Sequence, residues 1–208
     1  MYTPSAFAVT DLAKLHAFLE RHSFATLVTQ QADGRLIASH IPLLLVRDGS
    51  EFGRLEGHVA RPNEQWRDIA DEALAIFTGP HAYVSPRWYE TDGVVPTWNY
   101  TAVHAYGPLE IVTEAGELRE ILRHALATYE RGAETPWTLE RSGEVVERLV
   151  KGIVGLRMRI TRLEGKWKLS QNHPVERQER VIAALEAQRD ENSLAIAAMM
   201  RANLGDKR

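Results

Sequence analysis

Cysteine is absent from this chain, which excludes disulfides, thiolate metal sites and cysteine nucleophiles together. Lysine is scarce, confined to Lys14, Lys151, Lys166, Lys168 and Lys207, so arginine carries most of the positive charge. The formal net charge is -3, and no global basic field exists to draw in nucleic acid or anionic lipid. Long apolar runs are also missing: the most hydrophobic stretch, residues 41–46, falls far below the roughly 20 residues that cross a bilayer. Neither a Walker loop nor GxGxxG is present, so a phosphate would have to be held by side chains. Met1–Val9 has no basic segment leading into an apolar core, and the chain reads as a cytoplasmic protein without a leader.

What remains is an ordinary globular composition, 44% hydrophobic and 25% charged over 208 residues, enough to build one sizeable core. Thr10-Asp11 before Leu12, Leu15, Phe18 and Leu19 predicts a capped helix ending near Arg21-His22. Strands are predicted over 23–29, 35–46 and 54–59, joined at Asp33-Gly34 and Asp48-Gly49, with Pro42 at an edge, end or bulge. A short helix is predicted over 63–70. Strands follow over 72–78 and 81–85, broken by Gly79-Pro80, and 96–113 is one long strand or a bent pair. Alternating segments with turn signals about every ten residues indicate a closed or nearly closed barrel.

The period then changes. Leu118, Ile121, Leu122 and Leu126 predict a helix over 114–131, and Pro136 opens another over 135–151. Residues 155–164 alternate as a half-exposed strand, and 174–188 and 192–203 read as helices. The expectation is an α+β protein, a single domain over 1–208. Six or so mainly antiparallel strands come from 23–113 and 153–170, with peripheral helices and a helical C-terminal extension from about 174 to 208.

Three segments are unusual enough to suggest chemistry. In GHVARPNEQW, His58 is followed by Arg61 and Asn63 before a predicted helix start, which is either an anion site or a solvated Arg beside an ordinary cap. Residues 77–107 concentrate Tyr83, Trp88, Tyr89, Trp98, Tyr100 and Tyr106, suited to a flat ring, a packed core or a subunit interface. In GKWKLSQNH the amides of Gln171 and Asn172 either cap a helix or reach a ligand. His40, His58, His81 and His104 lack HxH or HExxH spacing, so no metal site is expected.

Taken in order, MYTPSAF, HIPLLL, GHVARPNEQW, GPHAYVSPRWY, VPTWNYTAVHAYG, IVG and KWKLSQN resemble the PaiB family of FMN-binding negative transcriptional regulators, from Met1 to about Leu185. The resemblance implies a split β-barrel similar to the pyridoxamine-phosphate-oxidase fold, forming a homodimer with FMN between subunits. It places Ser39, His40, Ile41 and Pro42 beside the flavin, and His58, Arg61, Asn63 and Trp66 at its phosphate. Trp98, Asn99 and Tyr100 would lie near the ring, with Gln171 and Asn172 completing the site. Two positions depart from the family pattern: Glu64 replaces a proline, and His173 replaces an arginine.

Despite the family's name, no helix pair reads as a DNA-binding motif. Arg157, Arg159 and Arg162 form only a small basic strand face, which argues against direct DNA binding and for regulation that is indirect or through a partner. The alternatives are an FMN-dependent oxidoreductase acting on a small molecule, or a haem-binding or haem-degrading split barrel.

Overall fold

The computed structural model describes residues 1–205, and the last three positions of the expected C-terminal extension, 206–208, lie outside the described residues. The chain is α+β, built among the described residues from antiparallel sheets and five α-helices. It folds as two compact units, one formed by Met1–Leu15, Thr78–Val103 and the chain from Glu164 on, the other by His16–Phe77 and His104–Leu163. Among the described residues no helix is long and apolar enough to cross a membrane.

In the first unit a short strand, β1 (Ala8–Val9), pairs antiparallel with β10 (Arg162–Lys168), bringing Ala8 opposite Lys166. The same sheet continues through β7 (Thr97–Gly107) to β6 (Ile69–Val84). Helices α4 (Val175–Gln188) and α5 (Glu191–Gly205) supply Val181, Ile182, Leu185, Ile196 and Met200 to a core shared with Val84, Tyr89 and Leu169.

In the second unit β6 pairs with β2 (Phe24–Gln31), and β2 with β3 (Leu36–Pro42), which is the sheet's outer strand. A second sheet has the order β4 (Leu44–Val46), β5 (Arg54–Ala60), β9 (Ile153–Arg159), β8 (Leu109–Val112). Helix α2 (Ala115–Tyr129) buries Leu118 and Ile121, part of the stripe read from the sequence. These residues pack with Val146 and Val150 of α3 (Gly143–Val150). At the corner after β7, Gly107 lies so close to the β9–β10 turn that a Cβ there would stand 1.8 Å from the Arg159 carbonyl oxygen. Only glycine fits.

Helix α1 (Leu12–Arg21) begins and ends where the sequence places it, with Asp11 accepting from the Lys14 amide at 3.1 Å. Pro42 is a strand end, as allowed: it closes β3, and after Leu43 the chain enters β4 in the other sheet. Three expectations are corrected. The predicted 63–70 helix is a single 3-10 turn, Glu64–Trp66, because Asp68 takes a left-handed φ of 48° and β6 starts at Ile69. Gly79-Pro80 does not break β6. The pairing of β6 with β2 runs from Ile69 to Ile76, so the proline lies beyond the stretch where β2 would need its missing N–H. The predicted 135–151 helix shrinks to a 3-10 turn, Leu139–Ser142, followed by α3, with Gly143 at φ 38° between them.

The second unit also buries a charge. Glu56 on β5 is 2% exposed and accepts from Arg54 Nε at 3.0 Å, Arg157 Nε at 3.3 Å and His124 Nδ1 at 2.7 Å. Arg157 continues to Glu110 and Glu117, so this member of the strand face read as basic is neutralised. Burial opposes ionisation of Glu56, but the hydrogen bonds and charges of His124 and Arg54 prevail and hold its carboxyl below the ordinary range. Because the folded-state pKa is the lower one, the stability this group contributes is present above the unfolded value of 4.5 and is lost as pH falls through the folded value. Glu56→Gln is expected to cost about 2–3 kcal/mol at pH 7, reduced from a fully buried pair because the arginines keep some solvent. Urea unfolding should show that difference shrinking at pH values below the unfolded pKa; an equal difference at all pH values would contradict it.

Candidate functional site

The strand-to-turn junction after β5 gathers four of the expected residues in the second unit. Arg61 donates through Nε to the Lys151 carbonyl at 2.8 Å and through Nη2 to the Ile153 carbonyl at 2.9 Å, fastening the segment that leads into β9. Asn63 caps the 3-10 turn by accepting from the Gln65 amide at 2.8 Å, and its Nδ2 donates to Ser39 Oγ at 2.9 Å. The Trp66 indole donates to the Arg61 carbonyl at 3.1 Å. Beneath them the buried Gln65 donates to the Leu27 and Ile37 carbonyls, pinning the turn to β2 and β3. Glu64, which departs from the family pattern three residues after Arg61, is exposed, and its field acts on Arg35.

The other β3 residues diverge in environment. His40 is exposed and shares a 3.0 Å hydrogen bond with Thr26, Ile41 is buried, and Pro42 is exposed. His58 lines an apolar cavity of about 490 Å³ with Leu126, Tyr129, Leu149 and Ile153, and burial holds its pKa below the ordinary value. It therefore faces hydrocarbon rather than the Arg61 turn's donors.

In the first unit the expected ring-side residues alternate along β7. Trp98 is half exposed and makes an edge contact with Tyr83, ring centroids 6.0 Å apart. Tyr100 carries the Lys166 ammonium 5.2 Å from its ring centre. Asn99 is fully buried, its Nδ2 donating to Ser170 Oγ at 3.0 Å and to Met200 Sδ at 3.4 Å. The Gln171 amide is engaged locally, donating to the Trp167 carbonyl and accepting from the Leu169 amide, each at 2.6 Å. Asn172 is exposed and lines a cleft of about 300 Å³ together with Tyr89, Lys168, Ser170, His173 and Arg177.

Of these cleft residues, Lys168 and Arg177 are not among the candidates drawn from the sequence, and Tyr89 figures there only as one of six aromatics. The one legible signal is the pair of lysines in KWK; nothing along the chain shows that Arg177, nine residues later on α4, joins Lys168. Among the described residues no group of three or more His, Asp or Glu is placed to hold a metal ion.

Known proteins resemble this chain in family, in sequence and in fold. The family described as "Putative FMN-binding domain" matches residues 1–162. Protease synthase and sporulation protein PAI 2 of Bacillus subtilis is 36% identical over 207 residues, covering 98% of each chain. Among solved structures, the FAD and heme binding protein from Mycobacterium smegmatis superposes with a TM-score of 0.59 at 17% identity, covering 85% of this chain and 79% of that one. The flavocytochrome Anf3 from Azotobacter vinelandii gives 0.56 at 14% identity, covering 77% and 69%. At those identities the likeness shows the fold alone, a split barrel.

The Asn63 side chain serves both the turn and Ser39, so its removal should be felt in stability. Asn63→Ala is expected to lower it by about 1–2 kcal/mol, and Asn63→Asp, which keeps the cap, by less. Thermal or urea unfolding checks this; equal losses would mean the cap contributes nothing.

Proposed function

This chain belongs to the FMN-binding domain family of the PaiB type, and from that premise we propose that it is a homodimeric flavoprotein whose Arg61–Trp66 turn receives the phosphate of FMN. The observation that carries the reading is the clasp of Ser39 by Asn63 in the same turn that carries Arg61, two residues earlier in the chain. The donor set fits a phosphate monoester. A guanidinium has five N–H groups, and the two carbonyl bonds of Arg61 engage two of them. The remaining donors and the Ser39 hydroxyl suit anionic oxygens. Glu64, exposed, does not oppose them.

When bound, FMN supplies the hydride and electron chemistry of its ring. The residues of this chain bind and orient it, and Gln65 keeps the turn in register with β2 and β3. The resemblance implies negative regulation of transcription; we assign that effect to a partner that reads the flavoprotein, since Arg157 is paired with three carboxylates.

Dimerisation rests on a narrower set of aromatics than composition suggests. Tyr89 is buried in a core, Trp88 packs against that core, and Tyr106 is covered by the Arg162 guanidinium at 3.5 Å. Tyr83 and Trp98, 46% and 53% exposed, are the pair that a second copy would cover.

Two measurements test these readings. Arg61→Ala is expected to weaken FMN binding about ten- to hundred-fold while barely changing riboflavin, read by quenching of flavin fluorescence. Equal losses for both flavins would show that the substitution acts through the carbonyl clamp, and would refute the phosphate role. Light scattering should give the mass of two chains at micromolar concentration, reduced to one by Trp98→Asp; a single-chain mass for the unaltered protein overturns the dimer.

A further inference from the structure

The cleft at the end of β10 holds positive charge that the protein itself does not neutralise. Several surface arginines are matched by carboxylates, as in Arg119–Glu147, Arg123–Glu120, Arg180–Glu90 and Arg201–Glu186. Lys168 and Arg177 are not so matched, and they line one cleft together. Lys168 donates to the Thr97 hydroxyl, neither residue has a carboxylate partner among the described residues, and no acidic residue lines the cleft. His173 adds a third nitrogen group to the same wall.

The turn between Lys168 and α4, which carries His173, takes an unfavourable backbone conformation. Ser170 is buried with φ 63°, a left-handed value that an L-residue adopts at a cost of about 1–2 kcal/mol. Asn99 bonds its hydroxyl, Gln171 closes the turn onto Trp167 and Leu169, and the His173 amide donates to the Ser170 carbonyl at 3.0 Å. Strain maintained by this many bonds marks a geometry that presents side chains rather than one that merely reverses the chain.

A separate observation comes from the cleft wall. Tyr89 is 1% exposed and its hydroxyl makes no hydrogen bond of ordinary geometry among the described residues; burial pushes its pKa up, and the nearby Ser170 hydroxyl and Arg177 charge only partly offset that. Its ring lies 4.8 Å from that of His173. A buried hydroxyl without a partner is rare and costly. Burial, and then the nearby Lys166, draw the Lys168 ammonium below its ordinary pKa; burial, then Arg177 and Lys168, do the same to His173. Each of these penalties is relieved when an anion enters.

We propose that this cleft, formed by Lys168, Arg177, His173, Asn172, Ser170 and Tyr89, is a second ligand site that takes a small molecule bearing a phosphate or carboxylate group. About 300 Å³ accommodates such a head group with a few carbons, at the small end of ligand sites. The cleft shares Asn99 and Asn172 with the residues that the resemblance assigns to the flavin, but Arg61, to which the flavin reading gives the phosphate, takes no part in it, so the proposal goes beyond that reading.

Calorimetric titration with inorganic phosphate, glycerol 3-phosphate and succinate, at matched ionic strength, tests it. At least one should bind saturably, and the stronger of the phosphate and carboxylate probes identifies the class. Lys168→Met and Arg177→Gln should each weaken that probe about tenfold or more, with FMN quenching unchanged. Arg177→Gln keeps the test informative if Lys168→Met, which loses the Thr97 bond, fails to fold by circular dichroism. Absence of saturable binding by all three probes, or unaltered affinity in the folded variants, overturns the proposal. If Lys168→Met instead weakens FMN and spares riboflavin, the flavin phosphate occupies this cleft and the separate site is refuted. Failure of the protein to bind FMN at all would leave the phosphate titration untouched.

Discussion

An ionised carboxylate almost wholly removed from water must be surrounded by donors, and Glu56 imposes that requirement on the second unit. Its donors come from three elements: Arg54 on the same strand, Arg157 directly opposite in the β5–β9 register, and His124 on α2. A slip of that register by one residue would turn Arg157 to the other face and leave the charge without its partner. Arg157 also reaches Glu110 on β8 and Glu117 on α2, so strand order and helix position answer to one electrostatic condition. The strand fixed in this way is the one that carries His58 near its end and delivers Arg61 to its turn.

Arginine therefore works in this protein chiefly on other parts of the chain. Arg61 fastens the entry to β9 through two carbonyls, and Arg162 lies over Tyr106. A guanidinium holds two acceptors in fixed directions, which an ammonium does not, and that suits a chain so poor in lysine. Lys168 and Arg177 instead line one cleft in which no acidic residue takes part.

Much of the strand framework can be read from the sequence, because alternation and Asp-Gly turns act locally. The barrel, the capped α1 and the stripe of α2 follow from residues within a few positions of one another. What the sequence leaves unread shares a cause. Asn63 does cap a turn, but the left-handed Asp68 and the onset of β6 stop it after three residues, and no local signal reports that. Asn99 has the donor and acceptor of a ligand-reading amide, yet Ser170, seventy-one residues away, engages it and buries it. The Asn63–Ser39 bond and the Lys168–Arg177 cleft likewise join residues from different elements, and a backbone sign such as that of Ser170 leaves no mark in composition.

The pairing of Ala8 with Lys166 has a consequence for how the chain folds. The first unit draws on three separated segments, the earliest being Met1–Leu15 and the last lying beyond residue 163, whereas the second is closed by Leu163. During synthesis the second unit has all its residues once the ribosome has released that leucine, while β1 waits for β10 throughout. Contacts of such long sequence separation form late and slowly. The nascent protein thus carries β1 without its partner strand until β10 has been made, a natural point for a chaperone to engage.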